Sequence, residues 1–551
     1  MKLKHFFYAG VFAVGITACS DNEEIGNAQT PTEANVYMTL QIVGPQGVGS
    51  RTEENPSGDD DGSQSGDTEV GRTEENKISS VNVLLCDPET HVVTHSYNIV
   101  SSALTSITNG VRTPVIETRT GNYDVYVIAN PTTDLQTITG DVTGKTIDQI
   151  TEALMKSRYA ANNTFLMFNE CNGSDDTGGE SITIGKNNDY EHPATCSTIQ
   201  LDRLAVKITS SAAQTVDISE ITTGDDAEFN AVQSVDLKGF KLLNGATKAN
   251  LQQKWTATLS GQGSYPWTNT LITPAMNAGS STETSSADEF YNHLSDFRTI
   301  PKSTSPTNNV DVYTYKEVED LYGEIPYYNT ESGQEKAAIY CMENNPTYRS
   351  SATTDALTDA LNGNTTGLVY QWQVTLKAEA GGDGKAGTNC FYAYDGNYYA
   401  SLKALVTAYP VVLNKVTTVT TTEEKIAALE KEMNAAYTHT TDKQGEISKF
   451  RAKYNIKVYT DGIMYYTYYI KDQNYKQVED SGQQPVNYYS VMRNTVYKLT
   501  VTKLQRIGTD IPGGWNPDKD PEDPVDPTNV YMVVEAQANP WVVSSENITL
   551  Q

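Results

Sequence analysis

Residues that could support catalysis or metal binding are scattered along this chain of 551 residues. His91 and His95 are the only close pair among six histidines. They lie four residues apart in an apparent strand and turn, where they could share one face and bind a metal. No third ligand is near them, so surface histidines are the favoured interpretation. The sequence has no GxSxG elbow, no glycine-rich phosphate loop opening a helix and no HExxH motif. We predict no catalytic residue, no cofactor and no metal site.

Cysteine spacing points to no cluster either. Five cysteines follow Cys19, at positions 86, 171, 196, 341 and 390. An odd number without CxxC spacing fits neither a disulfide framework nor a zinc site. Cys171 and Cys196 could bridge a loop, but unpaired, buried thiols are the favoured interpretation.

Two arginines suggest a different chemistry, which is proteolysis. Arg51 and Arg72 each open the pentapeptide Arg-Thr-Glu-Glu-Asn. They lie in a stretch, 44–76, that is rich in Gly, Ser, Asp and Glu and has almost no large apolar residue. This composition predicts a mobile loop. An arginine in an accessible linker is a candidate site for an Arg-specific protease.

The N-terminus reads as an export signal. Basic residues precede an apolar run that ends at Ile16, and Thr17-Ala18-Cys19 follows. The run is too short for a membrane span and ends in small residues, so 1–18 is predicted to be a secretory leader. Cys19 resembles the lipobox cysteine that is acylated and becomes the mature N-terminus; an ordinary leader is the alternative. The acidic Ser20–Glu24 that follows resembles a signal for the outer surface.

The net charge of −29 at pH 7 and a pI near 4.6 disfavour nucleic acid as a partner, because the chain repels phosphate backbones.

Both ends of the chain contain alternating apolar segments. In the first, Val36, Met38, Leu40 and Ile42 share one face of a predicted strand. The second follows a linker, 510–527, which is rich in Pro and Asp and is expected to hold the tail away from the body in a polyproline II conformation. The apolar residues of this second segment are Val530, Met532, Val534, Trp541 and Val543. Asn35-Val36-Tyr37-Met38 and Asn529-Val530-Tyr531-Met532 are the same tetrapeptide.

The body between these ends is predicted to be mainly β. Strand candidates include 81–85, 121–131, 201–208, 369–376, 392–399, 456–459, 464–470 and 495–502. Two helices are expected: a short one at 147–158, and a longer one with a capping box at Thr421 and Glu424 and an apolar stripe of Ile426, Leu429, Met433 and Tyr437. The length predicts two domains, with a boundary near residue 210.

Several segments resemble the fimbrillins of type V pili. They are the lipobox at Cys19, the strand before Arg51, "GNYDVYVIANP" at 121–131, "LDRLAVKI" at 201–208, "RNTVYKLTVTKLQRIG" at 493–508 and Pro540-Trp541. The resemblance is greatest to the short-fimbria (Mfa-type) shaft subunit, and it is diffuse between about 215 and 450.

The resemblance implies a fold and a division of the chain. The fold is two β-sandwich domains of transthyretin-like, Greek-key type with a few short helices. The expected segments are the leader 1–18, a propeptide 19–51 with a removable strand, an acidic segment 52–76, domains 77–210 and 211–509, the linker 510–527 and a donor strand in 528–551.

The resemblance also implies a structural role without enzymatic activity. The precursor would be a lipoprotein of the outer membrane, and an Arg-specific protease would cut at Arg51, with Arg72 as the rival. The groove left by the first strand would be filled by the C-terminal strand of another copy, forming a surface fimbria that supports adhesion and biofilm formation. Tip and anchor fimbrillins would be further partners. The alternatives are that this chain is itself a tip or anchor fimbrillin, or a glycan-binding surface lipoprotein.

Overall fold

The computed structural model describes the chain in separate ranges. They are 34–45, 69–71, 73–131, 142–151, 160–161, 164–171, 177–224, 227–243, 245–246, 249–256, 270–273, 291–292, 338–345, 365–380, 390–440, 443–472, 487, 489–510 and 532–542. Within these ranges the protein is mainly β, with several sheets and few helices. None of the described helices is long and apolar enough to cross a membrane.

The first sheet is built from residues that precede position 204. From edge to edge its strands are Val93–Val100, Ser80–Cys86, Gly121–Ala129, Met167–Asn169, Ile199–Arg203, Gln41–Val43, Gly110–Arg112 and Thr105–Ile107. Glu180–Ile184 also pairs with Gly121–Ala129. Two small pairs accompany this sheet: Ala34–Met38 with Ile116–Arg119, and Ala160–Ala161 with Thr164–Phe165.

Both faces of the first sheet are covered. Alternate residues of the central strand Ser80–Cys86 enter different cores: Val81, Val83 and Leu85 face one, and Leu84 and Cys86 face the other. Side chains alternate between the two faces of a strand, so burial on both sides requires a nearly continuous apolar run, which "SVNVLLC" supplies. The short helices Thr73–Asn76 and Ile147–Thr151 lie in this part of the chain.

The second sheet receives strands from both ends of the chain. Its order is Tyr291–Asn292, Gly245–Ala246, Ala338–Met342, Ala205–Asp217, Thr495–Leu504, Met532–Val542 and Glu69–Val70. It shares one core with a three-stranded sheet made of Val232–Leu243, Gly367–Leu376 and Ile463–Tyr469. Lys254–Thr256 pairs with Thr270–Ile272. Short helical turns occur at Ser101–Ala103, Ser219–Thr222, Ala378–Ala380 and Thr460–Gly462.

A third, mostly helical core lies beside a small sheet of Phe391–Tyr394, Asn397–Tyr399 and Lys457–Tyr459. Its helices are Leu402–Ala408, Pro410–Lys415, Thr422–Tyr437 and Lys443–Tyr454. The predicted capping box is confirmed, because the Thr421 hydroxyl accepts from the Glu424 amide while the Glu424 carboxylate accepts from the Thr421 amide. Leu429, Met433 and Tyr437 of the predicted stripe are buried.

Several predicted elements differ from the structure. The strand expected at 392–399 is a hairpin, because Asp395 and Gly396 both have positive φ and form its two-residue turn. The strand expected at 201–208 is interrupted at Leu204, where the chain passes from the first sheet to the second. The predicted boundary at 210 therefore falls inside the strand Ala205–Asp217. Residues 152–158 of the short predicted helix lie outside the described ranges.

The linker 510–527 suggested that the C-terminal strand is held away from the body. The structure shows the opposite. Met532–Val542 pairs antiparallel with Thr495–Leu504 of the same chain. An unpaired strand edge and an apolar strand face are both costly in water, and folding the tail onto Thr495–Leu504 removes both.

Candidate functional site at the two terminal strands

The N-terminal segment, residues 34–43, lies in a slot lined by Ile116–Arg119, Gly110–Arg112 and Ile199–Arg203. Its four predicted inward residues are all buried: Val36 is 4% exposed, Met38 0%, Leu40 1% and Ile42 0%. They pack in the same core as the central strands of the first sheet. The predicted alternation is therefore present in the folded chain.

Both backbone edges of this segment are hydrogen-bonded. One edge of Ala34–Met38 pairs with Ile116–Arg119. On the other edge the Tyr37 amide donates to the Asn188 carbonyl at 2.9 Å, and the Ala194 amide donates to the Tyr37 carbonyl at 2.8 Å. Further along, Gln41–Val43 lies between Gly110–Arg112 and Ile199–Arg203. The segment is thus an internal strand of the slot along both of these stretches.

Residues on the neighbouring strand fit closely around the segment. Thr113 is 3% exposed, and its hydroxyl accepts from the Leu40 amide at 3.0 Å. Gly110 passes so close to the segment that a Cβ there would lie 2.0 Å from the Ile42 carbonyl oxygen. A side chain at position 110 would push the segment out of the slot, because no Cβ tolerates backbone at that distance.

The C-terminal strand buries one face in the second core. Met532 is 3% exposed and Ala536 is 7% exposed, while Val534 is partly buried against the same core. Val533 on the opposite face is 38% exposed. Trp541 lies near the end of this strand, where the backbone pairs in parallel with Glu69–Val70.

A buried polar cluster forms around Glu75 and Asn76, which closely follow Arg72 in the sequence. Its other members are Arg203, Lys207 and Tyr340. Arg203 Nε donates to the Glu75 carbonyl at 2.9 Å, and Lys207 Nζ lies 3.2 Å from the Glu75 carboxylate. The Tyr340 hydroxyl donates to that same carboxylate.

Sequence reasoning missed this cluster. Arg203 and Lys207 are the signal that could have revealed it, because cations in a mainly apolar run such as 201–208 need buried partners. Burial lowers the pKa of the Arg203 guanidinium, and the Glu75 carboxylate opposes that shift.

Several predicted site residues lie outside the described ranges. They are Cys19, Arg51, Arg72, Val530 and Val543. The side chain of Trp541 is likewise outside the description. Their predicted roles stay predictions.

Other potentially reactive groups are not brought together in the described ranges. His91 and His95 belong to no group of three or more possible metal ligands there. All five described cysteines are free, so the possible bridge between Cys171 and Cys196 is not formed. Burial raises the pKa of the Cys86 thiol to about 12, which keeps the thiol protonated and unreactive at neutral pH.

Two family models match this chain in separate segments. Residues 57–203 match "Major fimbrial subunit protein (FimA)". Residues 457–547 match "Major fimbrial subunit protein type IV, Fimbrillin, C-terminal". In both segments the chain is therefore similar to fimbrillins. The first match contains the strands around the N-terminal slot, and the second contains the C-terminal strand with its partner Thr495–Leu504. Both matches are to structural proteins without enzymatic activity, and they indicate a fimbrial subunit of the cell surface.

Three solved structures are similar to this chain. A fimbrilin from Porphyromonas gingivalis is 14% identical, with 93% of this chain and 99% of that chain covered, at a TM-score of 0.39. The tip fimbrial protein Mfa3 from the same organism is 9% identical, with 92% and 100% covered, at 0.35. A proposed cell adhesion protein from Parabacteroides distasonis is 12% identical, with 92% and 100% covered, at 0.46. No curated protein matches the chain. These TM-scores are all below 0.5, so the similarity to fimbrillins rests on the two sequence matches.

Proposed function

We propose that this protein is a shaft subunit that polymerises by strand exchange after its N-terminal segment is cut away. The observation that carries the proposal is the slot around Val36, Met38, Leu40 and Ile42, which are at most 4% exposed and belong to a segment bonded on both edges. A segment that is removed from such a slot must be replaced, because the slot would otherwise expose apolar side chains and unpaired backbone.

The energy at stake is large. Each buried aliphatic side chain contributes about 1.5–3 kcal/mol, so the four inward residues contribute roughly 6–12 kcal/mol as an upper estimate. That is comparable with the whole stability of a typical domain, about 5–15 kcal/mol. While the segment remains attached, its tether gives it a high effective concentration in the slot and excludes a strand from another copy. Cutting the chain removes this advantage.

The C-terminal strand is the proposed replacement. In its own chain it buries Met532 and Ala536 but leaves Val533 38% exposed, and among the described residues its outer edge pairs only with the short Glu69–Val70. The slot in a neighbouring copy offers two hydrogen-bonding edges and a fully buried face. Exchange therefore gives the strand two paired edges and a buried face, and it gives up the pairing with Thr495–Leu504 of its own chain. Both matched family descriptions are of major fimbrial subunits, which supports a shaft rather than a tip or anchor role.

We place the cut at Arg51 rather than Arg72. Around Arg72 the chain is tied to the body: Gly71 is buried, Glu75 is 3% exposed and Asn76 is 9% exposed. The Asn76 side-chain amide donates to the Gly71 carbonyl at 2.8 Å, across position 72. A protease needs an accessible, extensible segment, so these contacts disfavour cleavage there.

The same proposal includes lipid anchoring of the precursor at Cys19 in the outer membrane, two β-sandwich domains, and assembly with tip and anchor fimbrillins. The short-fimbria subclass stays a prediction from the sequence, because the N-terminal match is of the FimA type.

N-terminal sequencing of assembled fibres tests the processing step. We expect the mature chain to begin at Thr52; a start at Thr73 would move the cut to Arg72. Replacing Arg51 and Arg72 together by alanine should leave an unprocessed, lipidated monomer, and normal polymers from that variant would refute the proposal. Electron microscopy of the fibres, with antibody to this chain, should label their whole length, whereas label at one end would indicate a tip or anchor role.

A further inference from the structure

The N-terminal strand begins with an unusual backbone conformation. Asn35 has a φ of +85°, and the pairing with Ile116–Arg119 shifts register between Ala34 and Val36. This is a β-bulge, in which one extra residue is accommodated by a local change of backbone. Asparagine tolerates positive φ better than most residues, so the residue type at position 35 suits the bulge.

Tyr37 occupies the outward position of the same strand. Its ring meets that of Tyr190 edge to face, with centroids 5.6 Å apart at 85°. Tyr190 is 65% exposed even with this partner in place. An aromatic pair of this geometry adds about 0.5–1.5 kcal/mol beyond its buried area.

The loop that carries Tyr190 is braced independently of the strand. The Gly185 amide donates to Asn188 Oδ1 at 2.8 Å, and the amides of Glu191 and His192 donate to Asp189 Oδ1 at 3.0 and 2.8 Å. These bonds do not involve the N-terminal segment. The loop is therefore positioned to receive a second strand once the first has left.

The C-terminal tail repeats each of these features in its sequence. Asn529, Val530, Tyr531 and Met532 match the bulge residue, the first inward residue, the ring partner and the fully buried Met38. Beyond them, Val534 and Ala536 fall on the inward positions of Leu40 and Ile42. Each residue type of the shared tetrapeptide thus suits a particular position in the slot.

We propose that residues 529–537 of a second copy enter the slot in the same direction and register as Asn35–Val43, with Tyr531 on Tyr190. This inference rests on the proposed strand exchange and adds to it the register, the direction and a recognition residue. The loop 185–194 then acts as a register-setting clamp. Its carbonyl at Asn188 and its amide at Ala194 would bond the backbone of Tyr531 as they bond that of Tyr37.

Cross-linking of fibres tests the register. Tyr37 faces Glu117, and both backbone groups of Tyr37 bond the loop instead, so this is a non-hydrogen-bonded pair whose Cα atoms are about 4.5 Å apart. A disulfide accepts that separation. The double variant Glu117→Cys with Tyr531→Cys should therefore form an intersubunit disulfide in assembled fibres. The matched control is Glu117→Cys with Val533→Cys, which moves the second cysteine two residues along the same outward face.

We expect at least tenfold more cross-linked dimer from the Tyr531 variant than from the Val533 variant, and none from Glu117→Cys alone. Equal or greater cross-linking from the Val533 variant, or none from either while fibres form, would overturn the register. Failure of the processed wild-type protein to form fibres would instead refute strand exchange itself.

Substitution of the recognition residue provides a second measurement. Tyr190→Ala should lower the temperature at which fibres dissociate in SDS, whereas Tyr190→Phe should keep most of the wild-type value because the contact is made by the ring. Fibres of Tyr190→Ala that dissociate at the wild-type temperature would contradict a role for this ring in holding the second strand.

Discussion

The substitution Met38→Ala should lower the thermal stability of the precursor but not that of the assembled fibre. Met38 is 0% exposed and packs in the first core. Truncating a fully buried methionine to alanine removes its transfer free energy and leaves a cavity, which together cost about 2–5 kcal/mol. For a folding unit of about 150–250 residues, each kcal/mol of lost unfolding free energy lowers the melting temperature by about 2–4 °C. A central loss of about 3 kcal/mol therefore predicts a decrease of roughly 6–12 °C.

The assay is thermal unfolding of the purified precursor, followed by circular dichroism. Gln41→Ala is the matched control, since Gln41 is exposed on the outward face of the same segment and should change stability by no more than about 0.5 kcal/mol. After processing and assembly the N-terminal segment is gone, so fibres grown from the Met38→Ala precursor should dissociate at the wild-type temperature.

Two results would refute this reasoning. Equal melting temperatures for Met38→Ala and Gln41→Ala precursors would mean that the segment does not contribute to the folded core. A lower dissociation temperature for fibres of the Met38→Ala variant would mean that the segment is retained in the polymer.

Three further predictions concern the C-terminal strand, the buried cluster and the long helix. Deleting Asn529–Gln551 should leave a processed subunit that adds to no fibre, and fibres of wild-type length in electron micrographs would contradict this. Glu75→Ala should destabilise the protein by about 3–5 kcal/mol in chemical denaturation, because it removes the carboxylate beside buried Lys207; adding Lys207→Met should recover much of the loss, and no recovery would contradict an ionic role. Thr421→Ala should cost about 1 kcal/mol at pH 7. Hydrogen bonds from Thr421 lower the pKa of Glu424, so the carboxylate's contribution is present above the ordinary glutamate pKa and lost as pH falls through the lowered value; a cost that does not shrink in acid would argue against the box.

Local patterns were the features that the sequence predicted well. The alternation of Val36, Met38, Leu40 and Ile42 needs only a strand of period two, and the box at Thr421 needs only residues three apart. Predictions failed where a short turn broke a run of apolar residues. Residues 392–399 read as one strand because the tyrosines mask the Asp-Gly turn between them.

The sequence by itself determined that this protein has an apolar strand segment before Arg51 and another after the linker 510–527, and it indicated a resemblance to fimbrillins. The tertiary structure decided what each strand contacts: the N-terminal segment fills a two-edged slot, and the C-terminal strand folds onto Thr495–Leu504 of its own chain. It also brought Glu75 to Arg203 and Lys207, and Tyr190 to Tyr37, across more than 120 residues of sequence in each case. Periodicity specifies which face of a strand is buried, but the choice of partner depends on contacts between distant segments, which no local pattern encodes.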